Sequence, residues 1–82
     1  MTEEQRMLIE DELNFLDKRI DRAEEKMHQA EKDGNTQRAA HWDHAWDVHH
    51  AKLSGYIEVL NILGYSAVQS SSTDWEYRVL DS

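Results

Sequence analysis

The stretch His41-Trp42-Asp43-His44-Ala45-Trp46-Asp47-Val48-His49-His50 decides how this chain folds. Its two Trp belong to a series, Ala39, Trp42, Trp46, His49, Leu53, Tyr56, Leu60 and Leu63, spaced by alternating steps of three and four. That spacing is the seam of a packed helix. Upstream, Ile9, Leu13, Leu16, Ile20, Ala23, Met27 and Ala30 repeat the rhythm, and a reversal at Gly34 pairs positions whose numbers sum to 69. Trp46 then faces Ala23, a large group over a small one. Trp42 faces Met27, whose sulfur suits an aromatic neighbour. This size match makes a structural role the expected one for both Trp, ahead of the alternative of ligand stacking.

The boundaries follow from local chemistry. Thr2 and Gln5 have the capping-box spacing, and Glu3 and Glu4 lie at the positive end of the helix dipole. In Asp33-Gly34-Asn35, Gly34 can take the left-handed conformation that ends a helix, and Asn35 or Thr36 can cap the next. The expected architecture is all-α: an antiparallel two-helix coiled-coil hairpin over 1–64 that dimerises into a four-helix bundle. Helix one covers about 3–33 and helix two about 36–63; each is about 40 Å long. Residues 65–82 form a short extended C-terminal tail. Within it Ser70-Ser71-Ser72-Thr73 has linker composition, and 75–80 alternates like a strand, with no expected partner in this chain. Trp75, Tyr77 and Val79 of this tail either lie against the helices or add to a partner's sheet edge.

The chain has 82 residues, no Cys and a formal net charge of −8. A core of that size is marginal, so oligomerisation is expected to help. Absence of Cys agrees with a reducing cytoplasm, and no apolar run approaches the length of a membrane span. The charge argues against direct contact with nucleic acid or an anionic membrane and favours a partner with a basic surface.

Sorting the remaining helical positions by flank gives a lopsided result. One flank carries Leu8, Phe15, Val48, Gly55, Val59 and Ile62, with Arg19, Arg22, Lys26, Arg38 and Lys52 nearer the turn. The apolar six are the expected dimer interface. The other flank carries Glu3, Glu10, Asp17, Asp21, Glu24, Glu31, Asp43 and Asp47 with His28 and His50, and no Lys or Arg. Like charges repeated along one face repel by a few tenths of a kcal/mol per close pair. Two readings stay open: a docking surface for a basic protein groove, formed by Glu10, Asp17, Asp21, Glu24, Glu31, Asp43 and Asp47, or a solvated face that keeps the bundle soluble.

Of the five His, four lie between positions 41 and 50. His41 and His44, or Asp43, Asp47 and His50, share a helix side, but no Glu-x-x-His pair repeats on both helices as di-metal bundles require. No metal and no cofactor are expected. His49 falls in the seam opposite Ile20, where a neutral, hydrogen-bonded imidazole or a pH-sensitive packing group would fit. Ser54, His50 and Asp47 lack a pocket that could hold an oxyanion, so no catalytic residue is assigned.

Asp33-Gly34-Asn35, Ala39-Ala40, the aromatic-rich second helix and Ile57-Glu58-Val59-Leu60-Asn61-Ile62-Leu63-Gly64-Tyr65 resemble small acidic helical-hairpin proteins of bacteriophages, especially those of Gram-positive hosts. The similarity covers residues 3 to 65. It implies a non-enzymatic protein that binds and blocks a bacterial protein in the host cytoplasm, the class that includes anti-CRISPR inhibitors and DNA mimics. The sporulation-phosphorelay aspartyl phosphatases share the hairpin but need Ser-Gln-Glu-Leu-Asp where this chain has Ala51-Lys52-Leu53-Ser54-Gly55. The alternatives to an inhibitor are an assembly accessory protein acting through the apolar flank and a small metal-dependent hydrolase using Asp43, Asp47 and His50.

Overall fold

A computed structural model of the chain describes residues 1–81; the end of the tail reading, at Ser82, lies outside them. Two long helices, α1 (Glu3–Lys32) and α2 (Thr36–Ile62), pack as a hairpin, followed by β1 (Tyr65–Val68), a 3-10 turn (Ser71–Thr73) and β2 (Arg78–Asp81). The protein is mostly helical, with a small two-stranded sheet that an all-α reading omits.

The helix ends are made by the residues the sequence marks. Thr2 Oγ1 accepts from the Gln5 amide at 3.1 Å while Gln5 Oε1 accepts from the Thr2 amide at 2.9 Å, closing a reciprocal cap. At the other end Gly34 has φ of +69°. That left-handed residue lets its own N–H reach Glu31 O at 3.1 Å and the Asn35 N–H reach Ala30 O at 2.9 Å, a Schellman motif. Asn35 Oδ1 then accepts from the Arg38 amide at 3.0 Å and starts α2. Gly64, at φ +89°, ends α2 with its N–H on Asn61 O at 3.1 Å.

Leu13, Leu16, Ile20, Ala23, Ala30, Leu53 and Leu60 are buried along the seam, and Trp46 and Ile9 pack against that core. The seam on α2 shifts near its end. Tyr56 is 45% exposed and Leu63 63% exposed, whereas Ile57 packs against the core. A strict 3.5-residue repeat drifts around a 3.6-residue helix, and the sheet covers the Ile57 side. His49 is half-buried and its Nδ1 has no hydrogen-bond partner, so the expected bonded imidazole is not seen at that nitrogen.

The tail is where structure and sequence reading part. Residues 65–68, given no strand in that reading, pair antiparallel with 78–81: Tyr65 opposite Asp81, Ser66 opposite Leu80, Ala67 opposite Val79 and Val68 opposite Arg78. The expected lone strand over 75–80 thus begins later and has a partner within the chain. Nor is the Ser-rich stretch a free linker. Thr73 Oγ1 contacts the carbonyls of Ser70 and Glu76, each at 2.9 Å, and the Trp75 amide donates to Ser70 O at 2.8 Å. Gln69 Nε2 donates to Trp75 O at 2.6 Å. Asp74 and Trp75 close this loop with φ of +54° and +63°.

The hairpin lies over the open end of the two helices and fills the remaining side of the core. Val79 is fully buried and joins Leu13, Leu16, Ile20, Leu53 and Leu60, with Ala67 and Tyr77 beside them. Polar clamps on α1 hold it. Arg6 Nη1 donates to Val79 O at 2.8 Å, and Glu10 Oε2 accepts from the Val79 amide at 2.8 Å. Asn14 Oδ1 accepts from the Tyr77 amide at 2.6 Å while its Nδ2 donates to Tyr77 O at 3.3 Å. One turn of α1 separates each clamp from the next, so a single helix face reads an extended strand edge.

Candidate functional site

The docked hairpin divides the acidic flank in two. Its lower half is internal machinery: Glu10 holds the Val79 amide, and Asp17 Oδ2 accepts from Gln69 Nε2 at 3.3 Å. Both side chains are half-buried, and Arg6, absent from the flank as sorted by sequence, reaches Asp81 at 3.4 Å. Asp21, Glu24, Glu31, Asp43 and Asp47 remain exposed towards the turn, with Glu3 exposed at the opposite end. The structure therefore leaves five of the seven predicted docking carboxylates available on a shorter surface.

Asp17 carries an electrostatic cost of this arrangement. Its pKa lies above its ordinary value, first because burial under the hairpin disfavours the charged form and second because Asp21 is nearby, with the Gln69 hydrogen bond opposing both. A raised folded-state pKa contributes stability that is fully present below the unfolded value and is lost as pH rises through the folded one. Asp17→Asn keeps an acceptor for Gln69 and removes the charge. It is expected to raise the melting temperature at pH 7, and the gain should vanish below about pH 4, where both forms are neutral. Thermal unfolding of both proteins from pH 3 to pH 7 checks this; a variant less stable at pH 7 would contradict it.

The opposite flank has no cover. At 100° per residue, Leu8 and Phe15 stand roughly 140–160° around α1 from Glu10, so the hairpin cannot reach them. Phe15 is 50% exposed, Val59 54% and Ile62 77%, and Leu8 and Val48 are exposed as well. The Arg19 guanidinium sits 4.8 Å from the Phe15 ring centre, a cation–π contact at the edge of the strip. Gly55 is half-buried, and a Cβ added there would meet nothing within 4 Å. A shallow hollow of about 530 Å³ beside it is bounded by Glu12, Lys52, Tyr56 and Val59. A second, of about 570 Å³, lies between Met1, Leu8, Ile9, Leu63 and Tyr65.

Of the predicted tail contacts, Trp75 is 63% exposed and Tyr77 half-buried, but Val79 is fully buried. Val79 cannot meet a partner while the hairpin is docked, because its side chain is part of the core. The exposed Trp75 is held at the loop apex in a left-handed conformation that is unusual for an aromatic residue.

Two of the clustered His make ring contacts with the Trp side chains. His50 stacks on Trp46 at 4.7 Å, and His41 meets Trp42 edge-on at 5.3 Å. Among the described residues no three His, Asp or Glu side chains converge as metal ligands, and no helix is long and apolar enough to cross a membrane. Sequence sorting missed Arg6 and Asn14, whose role depends on a strand brought from the far end of the chain. The available signal was Tyr65-Ser66-Ala67-Val68, a second β-prone run at the near end of the Ser-rich loop.

Compared with known proteins, the chain matches no family model, no curated protein and no solved structure.

Proposed function

We propose that this chain is a non-enzymatic protein-binding module that pairs with a second copy through its apolar flank and presents its turn-proximal acids to a basic protein surface. The observation that carries the reading is the placement of the C-terminal hairpin: it covers the Glu10 and Asn14 face of α1 and leaves Leu8, Phe15, Val48, Val59 and Ile62 exposed on the other. Strips of this kind mark interaction sites in soluble proteins. Two hairpins joined along it make a four-helix bundle with the acids outermost. The resemblance to small acidic phage proteins supports the inhibitor form of this reading, in which the exposed carboxylates block a bacterial protein's basic groove, including one that otherwise holds nucleic acid.

The test is capture of partners from bacterial lysate at low and high salt. Wild type is compared with a variant carrying Asp21→Asn, Glu24→Gln, Glu31→Gln, Asp43→Asn and Asp47→Asn. Glu10 and Asp17 stay intact because they hold the hairpin. A partner captured through the acids is expected to be lost in the variant, and in wild type when ionic strength rises, because exposed charges are screened within about 8 Å at 0.15 M salt. A partner kept by both proteins at both salts would place the working surface on the apolar flank and reduce the acids to solubility.

A further inference from the structure

The turn end of the molecule holds a cleft that neither surface above uses. Arg22, Lys26, Gln29 and Asp33 of α1 face Arg38 and Trp42 of α2 across a volume of about 240 Å³. Arg22, Lys26 and Gln29 are spaced by four and three, so one helix stripe supplies them; Arg38 and Trp42 are four apart and do the same from α2. Three of the chain's nine Lys and Arg thus meet in one place in a protein of net charge −8.

These three cations are not spent on the fold. The ion pairs among the described residues are Arg6 with Asp81 and Arg78 with Glu76, and the cation–π contact belongs to Arg19. Only Asp33 brings a carboxylate to the cleft wall. Three like charges set against one carboxylate disfavour the folded chain, and an anion seated between them lowers that cost. Arg supplies a planar fork that matches phosphate oxygens, and Lys a mobile point charge. The first turn of α2, beside the cleft, contains no acid to compete.

Trp42 and Arg38 also wall a second hollow, of about 400 Å³, whose other sides are Asn35, Gln37 and His41. The indole is half-buried, and its edge contact with His41 makes this hollow aromatic. Gln37 adds an amide that both donates and accepts, and Asn35, whose Oδ1 caps α2, adds its Nδ2 donor. The two hollows adjoin along their shared Arg38 and Trp42 wall. One half suits a phosphate and the other a planar ring with hydrogen-bonding edges. A phenyl ring has no such edge; a nucleobase does.

We infer that this two-part cleft binds a nucleoside phosphate, with the phosphate between Arg22, Lys26 and Arg38 and the base against Trp42, within reach of the Asn35 and Gln37 amides. The site uses none of the apolar strip residues and none of the acidic ones, and its three cations lie on the same flank as the strip, nearer the turn.

The experiment is a titration of the full chain with AMP, GMP, CMP and UMP, followed by NMR through the indole N–H signals, with adenosine and inorganic phosphate as separate probes. At least one nucleotide is expected to saturate a shift of the Trp42 signal at low salt and to bind at least ten-fold more tightly than either adenosine or phosphate. Arg38→Gln and Lys26→Gln are each expected to weaken it about ten-fold. Both side chains are exposed, so the fold should survive, and circular dichroism checks that. Trp42→Leu should lose the preference over inorganic phosphate. No saturable shift with any nucleotide at millimolar concentration would overturn the proposal, as would equal binding by the Arg38 and Lys26 variants. Phosphate binding as tightly as the best nucleotide would overturn the two-part assignment.

Discussion

Replacing Val79 with Asp is expected to detach the C-terminal hairpin and destabilise the whole chain. Val79 has no exposed surface and packs with Leu13 and Leu16 of α1 and Leu53 and Leu60 of α2. A carboxylate there loses its hydration and removes the apolar contact, and the nearby Arg6 guanidinium is already engaged by the Val79 carbonyl and Asp81; together these cost several kcal/mol. For a chain of this size each kcal/mol lowers the melting temperature by about 4–8 °C, so a fall of more than about 15 °C is expected. Leu13, now fully buried, would open to water with it. The neighbouring position is the control: Leu80 is 48% exposed on the other face of β2, and Leu80→Asp is expected to change the melting temperature by only a few degrees. Amide exchange gives the local reading, since loss of protection over 65–81 should exceed the loss in α1 and α2. If Val79→Asp and Leu80→Asp behaved alike, the hairpin would not be docked by the face described.

The second large effect concerns the proposed dimer. Phe15→Glu with Val59→Glu is expected to convert the assembly to single chains of 9.7 kDa, as read by light scattering, while the helical circular dichroism signal persists. Both side chains are about half exposed in one chain, so the folded hairpin loses little. In a two-fold interface each substitution occurs twice, and fully burying one such side chain contributes about 1.5–3 kcal/mol. A weakening of at least about 100-fold, roughly 2.7 kcal/mol, follows from even partial burial. A wild-type chain that stays at 9.7 kDa at high concentration would sink the dimer and assign the strip to a different protein.

These two experiments probe opposite faces of the same helix, and the faces differed in how much of them was legible. The hairpin of helices was written locally. Thr2, Gln5, Gly34 and Asn35 cap or turn the chain through contacts within five residues, and seam positions such as Leu13, Ile20 and Leu53 follow helical periodicity wherever the chain goes. The exposed apolar flank was legible for the same reason. The acidic flank was only half legible, because charge spacing shows which side a carboxylate is on but not what will lie over it.

What the sequence by itself determined is the pair of long helices, their reversal at Gly34 and the opposition of an apolar to an acidic side, all consequences of spacing and capping along one chain. Only the tertiary structure decided that Tyr65–Val68 pairs with Arg78–Asp81, that Val79 joins the core and that Glu10 and Asn14 hold the backbone at Val79 and Tyr77. Strand pairing joins residues 10 to 16 apart in the chain, and its docking onto α1 spans more than sixty. The β-prone run Tyr65-Ser66-Ala67-Val68 marks a segment but not where it docks; the docked hairpin is held by filling a side of the Leu13–Leu60 core that the two helices leave open.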